Sequence, residues 1–339
     1  MKLLMISGKG ASETAAGKRG AFYNTLEELR THFDRIDIVC PKALQLYSST
    51  AIKLFGNVYF HPTNDIVGTG LAIYRKEKFD VMTVHEYAPF RNGRGANALW
   101  KKIRVPMMFE IMHIPGFPRA GSIKEYIARM MMRLYIARDV RNASVVRVIN
   151  SGVGRWLQNV GVPAEKIKLV PAMYIDLDIF KPMSLEKKYD VVYLGRRATN
   201  KGIDLFEEAI RKLRAKSYKL EALVIDGWAK DSHEIAQLLN QSRLLIMPSY
   251  NEGGPRVILE AMACGVPVLA TRVGIVPDVL SDDRIIDWSA EDIAQKARKL
   301  LDAGTSESER AELVRTASRF EKHAAIRCYA ESLHSVALP

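Results

Sequence analysis

Cysteine is scarce in this 339-residue sequence: Cys40, Cys264 and Cys328 stand far apart, an odd and sparse set. Such a set argues against a disulfide framework and has no zinc-ligand spacing. A reducing cytoplasm is the simple expectation. No run of eighteen apolar residues occurs, so a spanning helix is not expected. The opening MKLLMISGKG places one Lys ahead of an apolar run that stops at Gly8. That run is too short for the core of a signal peptide and reads as a buried first strand. Low-complexity tracts and short-period repeats are also missing.

What is present is enough chain for about two domains of ~150 residues each. Hydrophobic residues make up 48% of it, so each half can bury its own core. Net charge is +12, unevenly spread. Residues 1–170 hold 26 Lys+Arg against 13 Asp+Glu, and residues 171–339 hold 24 against 25. A basic first half suggests an anionic partner there, such as lipid headgroups, a phosphorylated acceptor or nucleic acid. An ordinary basic surface that aids solubility would look the same. No recognised nucleic-acid-binding motif accompanies the charge, which argues against that partner.

Both halves alternate short apolar runs with helical patterns. The runs at 3–7, 36–40, 80–84, 106–111 and 143–149 predict strands in the first half. Those at 190–195, 219–225, 243–248, 266–271 and 284–287 predict strands in the second. Helical spacing falls at 24–33, 123–140, 203–216, 233–242, 257–264 and 290–303. The alternation predicts an α/β protein with parallel sheets covered on both faces. The expected division is a Rossmann-like domain over 1–170, a second over 171–320, and a C-terminal helix over 321–339 that can pack back on the first. In doubly wound folds ligands sit at the carboxyl ends of strands.

The most informative segment is PSYNEGGPRVILEAMACGVPVLAT, residues 248–271. Glu252 and Glu260 flank a Gly-Gly-Pro turn that opens a helix. Glycine backbone can approach a diphosphate closely, and a helix N-terminus offers free N–H groups and a favourable dipole. Carboxylates can accept hydrogen bonds from sugar and ribose hydroxyls. Were the whole interval helical, the two would be separated by roughly 12 Å along the axis. Upstream, the strand DVVYLG runs into RRATNKG, which sets Arg196 and Lys201 at the same sheet edge. Two cations there would neutralise a diphosphate as it leaves. Each piece alone is weak, because isolated Glu, Lys and Arg are mostly solvated surface charges. Glu260 is less easily dismissed, since it lies inside the apolar run VILEAMACGVPVL, where an unpaired carboxylate is costly.

Together, GRRATNKG and EGGPRVILEAMACGVPVLAT resemble the retaining GT-B glycosyltransferases of group 1, or glycosyltransferase family 4. EKIKLVPAMYIDLDIFKP (165–182) is similar to that family's inter-domain stretch, with Ala172-Met173-Tyr174 where Asn-Gly-Val is usual. The resemblance covers about residues 144–280. It implies two doubly wound Rossmann-like domains facing a central cleft. It implies that Arg196 and Lys201 bind the diphosphate, that Glu252 lies beside the donor sugar and that Glu260 holds the ribose hydroxyls. Gly253, Gly254 and Pro255 match the turn beneath the phosphates. Pro255 has no N–H, so donors there would come from Gly254, Arg256 and Val257. Gly20, in GKRGAF, matches the glycine-rich loop after the first strand, and His113 matches the histidine that faces the donor sugar. One departure concerns the base-reading segment, shortened here to WAKDSHEIAQLLNQ (228–241). Trp228 could stack on a nucleobase or pack structurally.

The resemblance implies transfer of a sugar from a nucleotide-sugar donor to a glycan, lipid-linked or small-molecule acceptor in cell-surface polysaccharide or glycolipid synthesis. It implies front-face retention, with no cofactor and no essential metal. Of the first-half carboxylates only Glu86 and Glu110 are near by position, and neither stands out as a nucleophile. Competing readings are a sugar-nucleotide epimerase on the same fold and a non-catalytic binder of anionic surfaces. The stretch 119–141 mixes apolar residues with Arg119, Lys124, Arg129, Arg133, Arg138 and Arg141, a pattern that also fits peripheral contact with an anionic membrane from the cytoplasmic side. Its wide apolar circumference favours a helix packed on the first domain's sheet.

Overall fold

The computed structural model describes residues 1–42, 51–87, 90–215, 219–226 and 231–338. The chain divides into two compact units. The first is Met1–Met112, Met130–Ala172 and His323–Pro339, and the second is His113–Arg129 and Met173–Lys322. The expected boundary near 170 falls at Ala172–Met173, but residues 113–129 group with the second unit rather than with 1–170. An isolated β-bridge between Pro118 and Asn251 ties them there. Asn251 Nδ2 also donates to Arg119 O and to a Glu125 carboxylate oxygen, each at 3.0 Å. The C-terminal helix Lys322–Ala337 groups almost wholly with the first unit.

In the first unit the described strands are β1 (Lys2–Ile6), β2 (Arg35–Cys40), β3 (Ile52–Leu54), β4 (Val58–Pro62), β5 (Val81–His85), β6 (Met107–Ile111), β7 (Val145–Val148) and β8 (Ile167–Leu169). They lie in the order β3-β4-β2-β1-β5-β6-β7-β8. All pair in parallel except β3 with β4. The central runs KLLMI, VMTVH and MMFEI are almost continuously buried, as strands covered on both faces must be. Sequence periodicity passes over β3, β4 and β8 for a physical reason. β3 and β8 are three-residue, partly exposed edges, too short to show a period. The β3–β4 turn is made by Phe55 and Gly56 at φ 52° and 84°, without an Asn-Gly or Asp-Gly signal.

The second unit holds β9 (Tyr189–Gly195), β10 (Ala222–Asp226), β11 (Ser242–Met247), β12 (Val268–Thr271) and β13 (Ile285–Ile286). Their order is β10-β9-β11-β12-β13, all parallel. Val191, Tyr193, Phe206, Ile246, Leu269 and Ile293 belong to the core that packs helices Ile203–Ala215 and Ala290–Ala303 onto the sheet. The chain leaves β9 for β10 on one side and later returns to β11 on the other. That reversal opens a crevice at the carboxyl ends of β9 and β11.

Candidate active site

The loop after β9 and the turn after β11 meet at that crevice. Gly202 ends the β9 loop at φ 65°, and a Cβ there would lie 2.0 Å from Pro248 O. Only glycine allows both the backbone angle and the approach. The closeness brings the Lys201 ammonium onto the Glu252 carboxylate as an ion pair. Ser249 Oγ donates to the same Glu252 oxygen at 3.1 Å. Asn200 bridges the two segments: its carbonyl accepts from Tyr250 N at 2.8 Å and its amide reaches Asn251 O at 3.4 Å. Ser249 O is tethered in turn by Thr271 Oγ1 and by Trp288 Nε1. The end of β11 is therefore fixed from both sides, and the acid and base of the pair are held by backbone they do not control.

His113 joins this cluster from the 113–129 segment. It is half-buried and hydrogen-bonds the Glu252 backbone. Burial lowers its pKa more than the Glu252 and Glu125 carboxylates raise it, and the Lys201 charge lowers it further. The balance favours its neutral imidazole.

Helix Arg256–Ala263 begins beyond the turn, with Pro255 at its N-cap and no side-chain cap. The interval from Glu252 to Glu260 is thus helical only in its second part, which corrects the fully helical spacing considered from sequence. Gly254 is packed so tightly that a Cβ would meet Met173 Sδ at 2.0 Å. Arg256 turns to Tyr174, donating to its carbonyl at 3.2 Å with the guanidinium carbon 4.8 Å from the ring centre. Met173 and Tyr174, the residues that replace Gly-Val in the inter-domain stretch, therefore buttress the Gly253-Gly254-Pro255 turn. Val257 follows in the first turn of the helix, where its backbone N–H lacks an intrahelical acceptor.

Glu260 sits one turn into this helix. Burial pushes its carboxyl pKa up, and Arg256 offsets that only in part. Among the described residues its carboxylate accepts no hydrogen bond. Arg196 is exposed and, among the described residues, in no ion pair. Among the described residues the crevice thus offers the unpaired Arg196, the paired Lys201, the His113 imidazole, uncapped helix N–H groups and the Glu260 carboxylate without a hydrogen bond. That set matches an anionic group carrying hydroxyls.

Gly20 N-caps helix Ala21–Leu29 in the first unit, exposed, with nothing within 4 Å of an added Cβ. Trp228 lies outside the described residues. Glu86 and Glu110 are both buried in the first unit and fully engaged with protein donors. Ser249, Asn200, Asn251 and Glu125 escaped the sequence reading. Ser249 and Asn251 stand within the quoted PSYNEGG, but nothing local marks Glu125, whose partner is 126 residues away.

Two Rossmann-like units with these groups gathered at the strand ends define a GT-B protein. The chain superposes over 99% of its length on all of Anabaena HepE solved in complex with UDP, with a TM-score of 0.72 at 15% identity. Residues 212–320 match the family model described as glycosyl transferases group 1. The Arabidopsis thaliana sulfoquinovosyl transferase SQD2 is 23% identical over 330 residues, covering 84% of this chain and 64% of that protein. The Campylobacter jejuni N,N'-diacetylbacillosaminyl-diphospho-undecaprenol alpha-1,3-N-acetylgalactosaminyltransferase is 23% identical over 240 residues, covering 60% and 63%. The chain spans between 24% and 64% of the length of the first curated relatives it matches.

Proposed function

We propose that this chain is a retaining, metal-independent glycosyltransferase that moves a sugar from a nucleotide-sugar donor to a glycan or lipid-linked acceptor. The observation that carries the reading is the joining of Lys201, Glu252 and His113 at one strand edge, with Glu260 one turn into the helix that follows and, among the described residues, without a hydrogen bond. Arg196 and Lys201 hold the donor diphosphate. Glu260 accepts hydrogen bonds from the ribose, while the N–H groups of Gly254, Arg256 and Val257 face the phosphates. Glu252 and the neutral His113 orient the donor sugar.

In the transfer step the bond between the anomeric carbon and the diphosphate oxygen breaks as the acceptor oxygen bonds to the same face. The acceptor proton passes to the departing diphosphate. Lys201 gains most in that step, because its charge meets charge that develops only as the bond breaks. An acceptor carried on a membrane and a cytoplasmic setting belong to the same proposal. No helix among the described residues is long and apolar enough to cross a membrane. HepE bound to UDP and the lipid-linked acceptor in the name of the Campylobacter relative support the donor and acceptor classes.

The test is turnover of a panel of UDP- and GDP-sugars with lipid-linked acceptors, before and after EDTA dialysis, with the product's anomeric configuration read by NMR. Retention with EDTA-resistant turnover is expected. Inversion, or turnover restored only by a divalent metal, overturns the mechanism.

A further inference from the structure

Ten large apolar side chains are exposed among the described residues, and six of them lie on one helix, Ile123–Asp139. Ile123, Ile127, Met130 and Leu134 recur at helical spacing and form one stripe, widened by Tyr126 and Met131. Ile123 is 79% and Leu134 75% exposed. The opposite side of the helix is its inner face, where Met132, Ile136 and Asp139 are buried. The helix therefore has two apolar faces, of which protein covers one.

Charge decides what fits the other. Lys124 and Arg133 are exposed and border the stripe along its two edges, and Arg138, also exposed, pairs with Asp139 at 3.4 Å. The helix has only two carboxylates, Glu125 and Asp139. Glu125 is drawn to Gly121 N and Asn251 Nδ2, and Asp139 is buried. The outer face is thus apolar with a purely cationic margin, on a chain of net charge +12. A second copy would bring the same cations to the contact. An anionic lipid leaflet supplies both an apolar layer for the stripe and negative headgroups for the margin.

We propose that the outer face of helix Ile123–Asp139 inserts into the interface of an anionic membrane, with Ile123, Ile127, Met130 and Leu134 as the buried anchors. The inference stands on exposure and charge and holds whether or not the transfer reading does. Expectation from sequence favoured a packed helix. The structure shows packing on one face and leaves the other free.

Flotation of the full chain with phosphatidylcholine vesicles, with and without phosphatidylglycerol, tests it. Binding is expected only with phosphatidylglycerol and should weaken as salt rises. Lys124→Gln and Arg133→Gln should each weaken it about fivefold. The double variant Ile127→Asp/Leu134→Asp should abolish it while circular dichroism and the unfolding midpoint stay unchanged, since neither residue is buried. Equal binding to neutral vesicles, full binding by the double variant, or no vesicle binding together with a dimer that the double variant dissolves would each overturn the proposal.

Discussion

Glu110 in the first unit and Glu260 in the second are both withdrawn from water, Glu110 fully and Glu260 in part, and the two are treated in opposite ways. Glu110, in the first unit, receives Arg147 Nη1 and Tyr329 Oη, each at 2.6 Å, and His85 Nε2 at 3.1 Å, with Thr83 on the same oxygen as Tyr329. Burial alone would raise its pKa, but the His85 and Arg147 charges and these hydrogen bonds hold it well below the ordinary carboxylate range. Glu260, in the second unit, has Arg256 as its nearby countercharge and no hydrogen bond among the described residues, and burial leaves its pKa raised. Buried polar groups are normally satisfied, so an exception asks for an explanation. Glu110 has spent its acceptor capacity on the fold: its partners come from β5, β7 and the C-terminal helix. Glu260 spends none of that capacity on the described residues, and in the proposed function it is kept for the donor.

The charge distribution repeats the contrast. By unit, the first holds 24 Lys+Arg against 13 Asp+Glu and the second 26 against 25. The near-neutral unit is the one that carries Arg196, Lys201, Glu252 and Glu260 at its crevice. The overall +12 is therefore no guide to where the chemistry is.

Arg147→Met should expose the difference most sharply. It removes one half of a buried pair and should cost about 3–5 kcal/mol of stability by urea unfolding. A loss below about 1 kcal/mol would mean that the Glu110 network is not structural. Lys201→Ala is the counterpart in the second unit. It should lower kcat/KM by about two to three orders of magnitude, as loss of a group that stabilises developing charge does, and destabilise far less than Arg147→Met. Turnover near wild type would remove Lys201 from the transfer step.

A pH series sharpens the comparison within the first unit. Glu86 is buried, with Gly93 N and Tyr87 N donating to it, and burial pushes its pKa up to about 7 from 4.5. Its folded pKa exceeds its unfolded pKa. Stability should therefore fall as pH rises from about 4.5 to 7 and then level off, by up to about 3 kcal/mol from this residue. Glu86→Gln should flatten that decline. An unchanged pH profile in the variant would assign the decline to another group.

The crevice was legible in the sequence because its parts are local. Arg196, Lys201, Glu252 and Glu260 lie on two strand–loop–helix segments, and the glycines that bring those segments together stand inside them. The 113–129 segment was not legible in the same way. Its attachment to the second unit runs through Pro118, Arg119 and Glu125 to Asn251, and a sequence read for periodicity gives no sign of contacts more than a hundred residues apart. The same holds for Tyr329 reaching Glu110 across 219 residues. The outer stripe of helix Ile123–Asp139 was visible as composition, but which of its two apolar faces protein covers is a tertiary fact.

Glu260→Gln, assayed for UDP and GDP binding by calorimetry and for stability by urea unfolding at pH 8, tests the central contrast most directly. The wild-type fold must ionise a desolvated carboxyl at that pH, so the variant should be at least as stable. It should also bind UDP or GDP, whichever the wild type binds, about tenfold or more weakly, the loss expected for a charge-assisted hydrogen bond. Unchanged affinity for that nucleotide together with a loss of stability would make Glu260 a structural carboxylate like Glu110, and the contrast between the two units would fail.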